Sequence, residues 1–130
     1  MILFFDRSVG TVVPGLLNRR ELRFPVAIEW HERHFAKDAL DDLWLPVIGS
    51  WGWTVIGHDS SYHLNLSELA AIKQYGIGCF YLWGAEVTRW EKLQCFARAY
   101  GRIAEADATT PRPFIYKISQ RGTLRAVPIP

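Results

Sequence analysis

Cysteine is scarce in this sequence, and its two cysteines lie far apart. Cys79 falls in an apolar run and Cys95 in a helical pattern, so the chain lacks the closely spaced pairs that hold zinc or form structural disulfides. We therefore expect both thiols to be reduced and buried, as is usual in a cytoplasmic protein.

Long apolar runs are also missing, because no stretch approaches the ~20 residues that a membrane-spanning helix needs. The first six residues contain no basic side chain and reach an acid at Asp6, which is not how a secretory signal peptide begins. These absences predict a cytoplasmic protein that does not enter a membrane. A composition that is 49% hydrophobic and 22% charged predicts one folded domain over residues 1–130.

The small net charge of +2 hides an uneven distribution. Between Glu29 and Glu68 seven acids accompany two bases, whereas eight bases accompany three acids from Arg89 onward. An acidic centre beside a basic flank suits a metal site next to a phosphate-backbone track. The plainer interpretation is that many of these bases cover solvent-facing helix and strand surfaces.

Apolar runs and helical patterns alternate along the chain. They predict strands at residues 2–5, 25–30, 53–57, 78–82, 114–118 and 124–129. They predict helices at residues 12–20, from about 38 to 48 with a kink at Pro46, from 66 to 75, and from 89 to about 104. This order predicts an α/β domain with a mostly parallel central sheet flanked by helices.

Two aspartates occupy the same predicted place, directly after a buried strand. Asp6 follows the first strand and Asp59 follows the third. In parallel sheets the ligand crevice lies outside the carboxyl ends of the strands, so these carboxylates can converge. Converging carboxylates repel each other, and a divalent cation bound by oxygen ligands relieves that repulsion. A turn role for Asp59 remains an alternative.

Three further acids lie at a predicted helix start. Asp38 has the place of an N-cap, Asp41 suits the helix dipole, and Asp42 follows it. Each can be explained by helix chemistry alone, or can join the strand-end aspartates in a metal site. Metal-bound carboxylates are the usual equipment for hydrolysing a phosphodiester.

Other polar motifs are less informative. The histidines of residues 31–34 are three positions apart, whereas a zinc protease helix requires four, so we exclude a zinc site and expect a surface loop or strand end. His58 precedes Asp59, where it could assist proton transfer or simply form hydrogen bonds. Trp44, Trp53 and Trp90 fall on predicted core faces and are interpreted as packing residues.

The order of these features resembles the PIN-like nucleases, which include the VapC-type toxins of bacterial toxin–antitoxin systems. The matching segments are residues 2–7, 40–46, 53–59, 68–71, 80–82 and 113–116. The resemblance implies a three-layer PIN-like domain and an endoribonuclease that depends on Mg²⁺ or Mn²⁺. It further implies Asp6, Asp41 and Asp59 as catalytic metal ligands, an RNA substrate, a cognate antitoxin and a possible homodimer.

One departure from the family pattern is a missing fourth acid. No clear match lies between residues 20 and 37, which leaves Asp42, Glu68, Glu29 and Glu32 as open alternatives. The departure supports a second hypothesis, a catalytically degenerate PIN-like protein that acts as a binding module. A phospho-receiver domain is the weakest alternative, because Lys117 lies inside a predicted strand rather than at its end.

Overall fold

The protein was analysed as a computed structural model that describes residues 1–58, 65–84 and 86–130. Its strands are β1 (Ile2–Phe5), β2 (Ala27–Trp30), β3 (Thr54–His58), β4 (Gly78–Leu82), β5 (Phe114–Ile118) and β6 (Leu124–Ala126). Its helices are α1 (Val12–Leu17), α2 (His31–His34), α3 (Asp41–Trp51), α4 (Leu66–Tyr75) and α5 (Arg89–Thr109). A short 3₁₀ turn, Arg20–Leu22, follows α1.

The strands described here form one sheet in the order β2-β1-β3-β4-β5-β6. All neighbouring pairs are parallel except β5 and β6, which pair antiparallel. Both β3 and β4 are buried along their whole length, which explains why they appear in the sequence as continuous apolar runs. The fold class expected from the sequence is confirmed.

Alternating side chains of each strand enter two separate cores, one on each face of the sheet. On one face Leu3 and Phe5 pack with residues of α1 and α5. On the other face Phe4 packs with residues of α3 and α4. The molecule therefore has three layers. The same alternation along β1 decides which of the two helical layers the residue after this strand faces.

Helix starts follow the local capping chemistry, with one correction. Thr88 and Glu91 form the predicted capping box at the start of α5, and Asn65 caps α4 by accepting hydrogen bonds from the N–H groups of residues 67 and 68. The expected N-cap at Asp38 is wrong, because Leu40 precedes the first turn of α3. Pro46 lies inside α3, which continues to Trp51.

Two sequence-based expectations about burial and local structure are also wrong. Residues 31–34 follow the end of β2 as a single helical turn and not as a surface loop, and His31 is buried. Trp90 is 65% exposed, although the helical periodicity placed it on a core face. Periodicity indicates which face of a helix is apolar, but it does not show how far the neighbouring layer extends along that helix.

In the described ranges, no helix combines the length and apolarity that crossing a membrane requires.

Candidate functional site

The carboxyl ends of the parallel strands and the starts of the helices that follow them share one edge of the sheet. Asp6 comes directly after β1 at this edge, and its backbone N–H donates to the carbonyl oxygen of Ile56 at 2.9 Å, which continues the pairing with β3. Because Phe4 faces α3 and α4 and Phe5 faces the other layer, the alternation directs the Asp6 side chain toward α3 and α4. Asp6 is only 1% exposed.

The Asp6 carboxylate is held by the turn that follows it. The backbone N–H of Ser8 donates to Oδ1 at 2.8 Å, and the Ser8 hydroxyl donates to the same oxygen. The Ser8 Oγ in turn accepts the backbone N–H of His58 at 3.0 Å, so one hydroxyl joins the ends of β1 and β3. A charged acceptor strengthens such hydrogen bonds, and the Asp6 side chain is therefore fixed in position.

Gly57 makes room for that carboxylate. A Cβ atom at this position would lie 2.8 Å from Oδ2 of Asp6 and 2.6 Å from the ring of Tyr81. Tyr81 is 4% exposed, so its ring has no open space into which to move. The close approach of backbone, carboxylate and ring is the reason that a glycine occupies this position in a strand.

Asp41 is the first residue of α3. Its Oδ1 accepts the indole N–H of Trp44 at 2.9 Å, and the Trp44 side chain is 1% exposed. A buried, rigid donor one turn along the helix thus fixes the orientation of the Asp41 carboxylate. Asp42, the open alternative at this helix start, is exposed.

Glu68 lies in the first turn of α4 and completes a cluster of three acids. Burial raises the pKa of Glu68 to about 8, with further contributions from a side-chain hydrogen bond to Asp41 and from the negative charges of Asp41 and Asp6. The positive charge of Arg7 opposes this rise in pKa. In its protonated form the Glu68 carboxyl donates to the Asp41 carboxylate, which relieves the repulsion between them.

Glu68 was one of four alternatives for the missing acid. Its side chain forms a hydrogen bond with Asp41 in the structure. Its position at a helix start after the third strand was the available sequence signal. The capping pattern of Asn65 accounted for the same residue, which left the signal ambiguous. Glu29 instead contacts His34 and Arg33 near the β2 edge of the sheet.

Asp59, the third predicted ligand, lies outside the described residues. His58 precedes it and ends β3; its ring Nε2 is 3.2 Å from the carbonyl oxygen of Trp83. Since His58 follows the alternation of Ile56 rather than Val55, its side chain belongs to the α1 and α5 face of the sheet. The suggested role of His58 in proton transfer at the acidic cluster gains no support from this position.

His31 and Arg7 border the cluster. The His31 ring packs against Phe35 and Trp44, and neither ring nitrogen has a hydrogen-bond partner among the residues that the structure describes. Burial lowers the pKa of His31, with the charge of Arg7 acting in the same direction and Asp41 opposing it. Arg7 donates a hydrogen bond to the carbonyl oxygen of Lys37 at 3.0 Å, which ties the turn after β1 to the segment before α3.

Within residues 1–58, 65–84 and 86–130, no group of three or more His, Cys, Asp or Glu side chains is arranged to hold a metal ion. The donor chemistry of the cluster nevertheless fits a hard divalent cation, because its side chains are carboxylates and such ions prefer oxygen ligands. Burial and the neighbouring acids raise the pKa of Glu68, so a proton on this carboxyl relieves the crowding of charge. A cation would relieve the same crowding.

Comparison with known proteins identifies the family of this fold. A family model described as a PIN-like domain matches residues 1–84 of the 130. The chain belongs to the PIN-like domain family. PIN-like domains are generally nucleases and typically use divalent metals. The matched residues include Asp6, Asp41 and Glu68, whereas α5, β5 and β6 lie beyond them.

No curated protein and no solved structure matches the chain.

Proposed function

We propose that this PIN-like protein is a metal-dependent endoribonuclease whose site is built on Asp6, Asp41 and Glu68. The observation that carries the proposal is the convergence of Asp6, directly after β1, with Asp41 and Glu68 at the starts of α3 and α4, where Glu68 forms a side-chain hydrogen bond to Asp41. Neighbouring acids repel one another, and a purely structural role does not explain why this site holds three of them. A site for Mg²⁺ or Mn²⁺ requires such a concentration of negative charge.

The three carboxylates divide the work of such a site. Ser8 holds Asp6 and Trp44 holds Asp41 through hydrogen bonds to Oδ1, so both carboxylates have a fixed orientation. Glu68 must lose its proton before its carboxylate can coordinate. When bound, a divalent cation neutralises phosphate charge and lowers the pKa of water, which is the chemistry that phosphodiester hydrolysis needs.

Basic residues supply the contacts to the RNA backbone in this proposal. Arg7 adjoins Asp6, and Arg89 and Lys92 lie in the first turns of α5, which begins at the same edge of the sheet. Burial lowers the pKa of Lys92, and the neighbouring charge of Arg89 adds to this effect. A phosphate between these cations would reduce their mutual repulsion.

Asp59 remains a predicted fourth ligand because it follows β3 directly in the sequence. Asp59 is either a ligand of the metal or a residue of the turn after β3. A variant that replaces Asp59 by Asn separates the possibilities: a ligand role predicts weaker Mg²⁺ binding in calorimetry, and a turn role predicts unchanged binding.

The decisive experiment measures cleavage of a fluorophore-labelled single-stranded RNA in Mg²⁺ by the wild type, Asp6→Asn and Glu68→Gln. We expect each substitution to reduce the cleavage rate by about 100-fold or more, because each removes a charge on which cation binding depends. Asp42→Asn is the matched control, since it makes the same chemical change on an exposed neighbour of Asp41. Circular dichroism verifies the fold of every variant.

Two results would overturn the proposal. One is full cleavage by Asp6→Asn, or by the wild type in excess EDTA. The other is absence of Mg²⁺ binding by the wild type at millimolar metal in calorimetry, which would favour the alternative of a degenerate PIN-like binding module.

The role of toxin in a toxin–antitoxin pair rests on the resemblance to VapC-type proteins. It predicts that induced expression of the wild type arrests bacterial growth and that expression of Asp6→Asn does not. Coexpression of a protein encoded beside it should restore growth if that protein is the antitoxin. Growth arrest by both forms would contradict a toxic nuclease activity.

A further inference from the structure

A groove of about 810 Å³ lies on the side of the sheet opposite to α3 and α4. Its two walls are the segment from Leu16 to Pro25, which includes the end of α1 and the 3₁₀ turn, and residues 90–100 of α5. The floor consists of apolar side chains: Leu17, Phe24, Leu93, Phe96 and Tyr100. Because Leu17 and Phe96 belong to the core of this face, the groove is an opening into the packed interior.

Large apolar side chains on the rim of this groove remain in solvent. Leu16 is 43% exposed, Leu22 is 54% exposed and Trp90 is 65% exposed. Isolated exposed apolar residues are common, but three around one apolar groove form a contiguous patch, which is characteristic of an interaction site. Packing inside the domain does not require an apolar side chain at position 90, since Trp90 is largely exposed.

The rim also carries an excess of positive charge. Arg19, Arg20 and Arg23 lie within five residues, and Glu21 is the acid among them. Arg19 pairs with Glu21 at 3.7 Å, and both side chains are largely exposed. Across the described part of the chain, Arg20 and Arg23 form no ion pair within 4 Å. Residues 19–23 therefore carry three positive charges and one negative charge beside an apolar surface, and Arg19 and Arg23 line the groove itself.

We infer that this groove binds an amphipathic helix of another protein, with an apolar face on the groove and acidic residues along its flanks. An elongated apolar cleft beside α5 suits a helix laid into it, with apolar side chains at helical spacing as anchors. Acidic flanking residues would meet Arg19 and Arg23, which line the groove, and this contact fixes the position of the helix and favours an acidic partner.

Charge decides against a second copy of the same chain. A symmetric dimer pairs a patch with itself, so the arginines of one rim would face those of the other. The recessed floor argues against a lipid surface, because membrane-binding residues must protrude to reach the bilayer. This inference does not depend on the nuclease proposal, since the groove and the acidic cluster belong to opposite faces of the sheet.

The test uses labelled synthetic peptides as probes of the groove. One 18-residue peptide, about five helical turns, carries leucines at helical spacing with glutamates on its flanks. A second peptide has lysines in place of the glutamates. A third has the same residues as the acidic peptide in a scrambled order, so that its leucines do not lie on one face of a helix. We expect fluorescence anisotropy to show micromolar binding of the acidic peptide and at least about tenfold weaker binding of the other two.

Two variants locate the binding on the protein. Leu22→Asp should weaken binding of the acidic peptide by at least about tenfold, because it places a charge on the apolar rim. The double variant Arg19→Glu/Arg23→Glu should reverse the preference, so that the lysine peptide binds more tightly. Arg121→Glu/Arg125→Glu is the matched control, because it makes the same charge change in the turn before β6 and within β6, at the edge strand of the sheet.

Several outcomes would overturn the inference. The acidic and scrambled peptides could bind with equal affinity, or Leu22→Asp could leave the affinity for the acidic peptide unchanged. The acidic peptide could also fail to bind at millimolar concentration. A dimer in analytical ultracentrifugation that Leu22→Asp dissociates would assign the groove to a second copy. Sedimentation with phosphatidylserine vesicles that depends on Leu22 would assign it to a membrane. Loss of RNA cleavage in Asp6→Asn has no bearing on any of these results.

Discussion

At the Asp41 carboxylate, one oxygen is already occupied by a protein donor. The indole of Trp44 performs two tasks, because its ring fills the core between α3 and the sheet while its N–H orients Asp41. A carboxylate that is oriented before it meets a cation loses less conformational entropy on binding. Trp44 is thus a positioning residue for the proposed site.

Replacing Trp44 by Phe keeps much of the packing and removes the N–H donor. We expect a loss of about 1–3 kcal/mol in the free energy of unfolding, because the buried hydrogen bond goes to a charged group and some volume is lost. We also expect weaker Mg²⁺ binding in calorimetry. Urea denaturation measures the first effect, with Trp53→Phe as the control for loss of indole volume in the same core. Equal Mg²⁺ affinity in wild type and Trp44→Phe would contradict the positioning role.

Gly57 permits a second precise prediction. Gly57→Ala places a methyl group within 3 Å of Asp6 and Tyr81, so we expect a loss of about 1–3 kcal/mol in unfolding free energy together with lower RNA cleavage. Gly101→Ala is the matched control, because no atom outside its own helix lies within 4 Å of the added Cβ. The control should gain up to about 1 kcal/mol from improved helix propensity. Similar effects of both substitutions would refute the steric argument.

Among the elements, α3 and α4 bring the acids together, and a separate polar contact secures the opposite end of β3. Arg112, in the loop before β5, donates to the carbonyl oxygen of Trp53 at 3.1 Å, to Oγ1 of Thr54 at 2.7 Å and to Oδ1 of Asp107 at 3.0 Å. These bonds join the end of α5 to the start of β3. Sequence analysis assigned this segment to a loop and gave no indication of the contact.

Arg112→Met should destabilise the protein by about 2–3 kcal/mol, since it leaves the partly buried Asp107 without its charged partner. Arg98→Met is the control. The Arg98 guanidinium makes one long hydrogen bond, 3.4 Å to the carbonyl oxygen of Gln120, and its loss should change the free energy of unfolding by less than about 0.5 kcal/mol. Thermal unfolding of both variants decides the prediction. Equal melting temperatures would mean that the Arg112 contacts contribute nothing measurable.

At the scale of the whole molecule, the acidic cluster makes stability depend on pH. The folded protein holds a proton on Glu68 up to a pKa of about 8, compared with an ordinary value of 4.5. Between these values the folded state binds more protons than the unfolded chain, so this group lowers the free energy of unfolding as pH rises. Above about pH 8 the loss is complete.

Glu68→Gln removes this titration. Urea denaturation in EDTA gives the free energy of unfolding of the variant and of the wild type at pH 5 and at pH 9. The variant's value minus the wild-type value should be larger at pH 9 than at pH 5. Mg²⁺ should stabilise the wild type more at pH 9 than at pH 5, because coordination requires the deprotonated carboxylate of Glu68. A difference between variant and wild type that is independent of pH would show that Glu68 has an ordinary pKa.

The sequence by itself determined the strands, the main helices and the place of Asp6, because apolar runs, capping residues and strand ends depend on neighbouring residues in the chain. Only the tertiary structure decided the pairing of Asp41 with Glu68, the burial of His31 and the exposure of Trp90. These properties depend on which segments, distant in sequence, pack together and how far each layer extends. A raised pKa such as that of Glu68 arises from charges and burial in three dimensions, and no local pattern of residues encodes it.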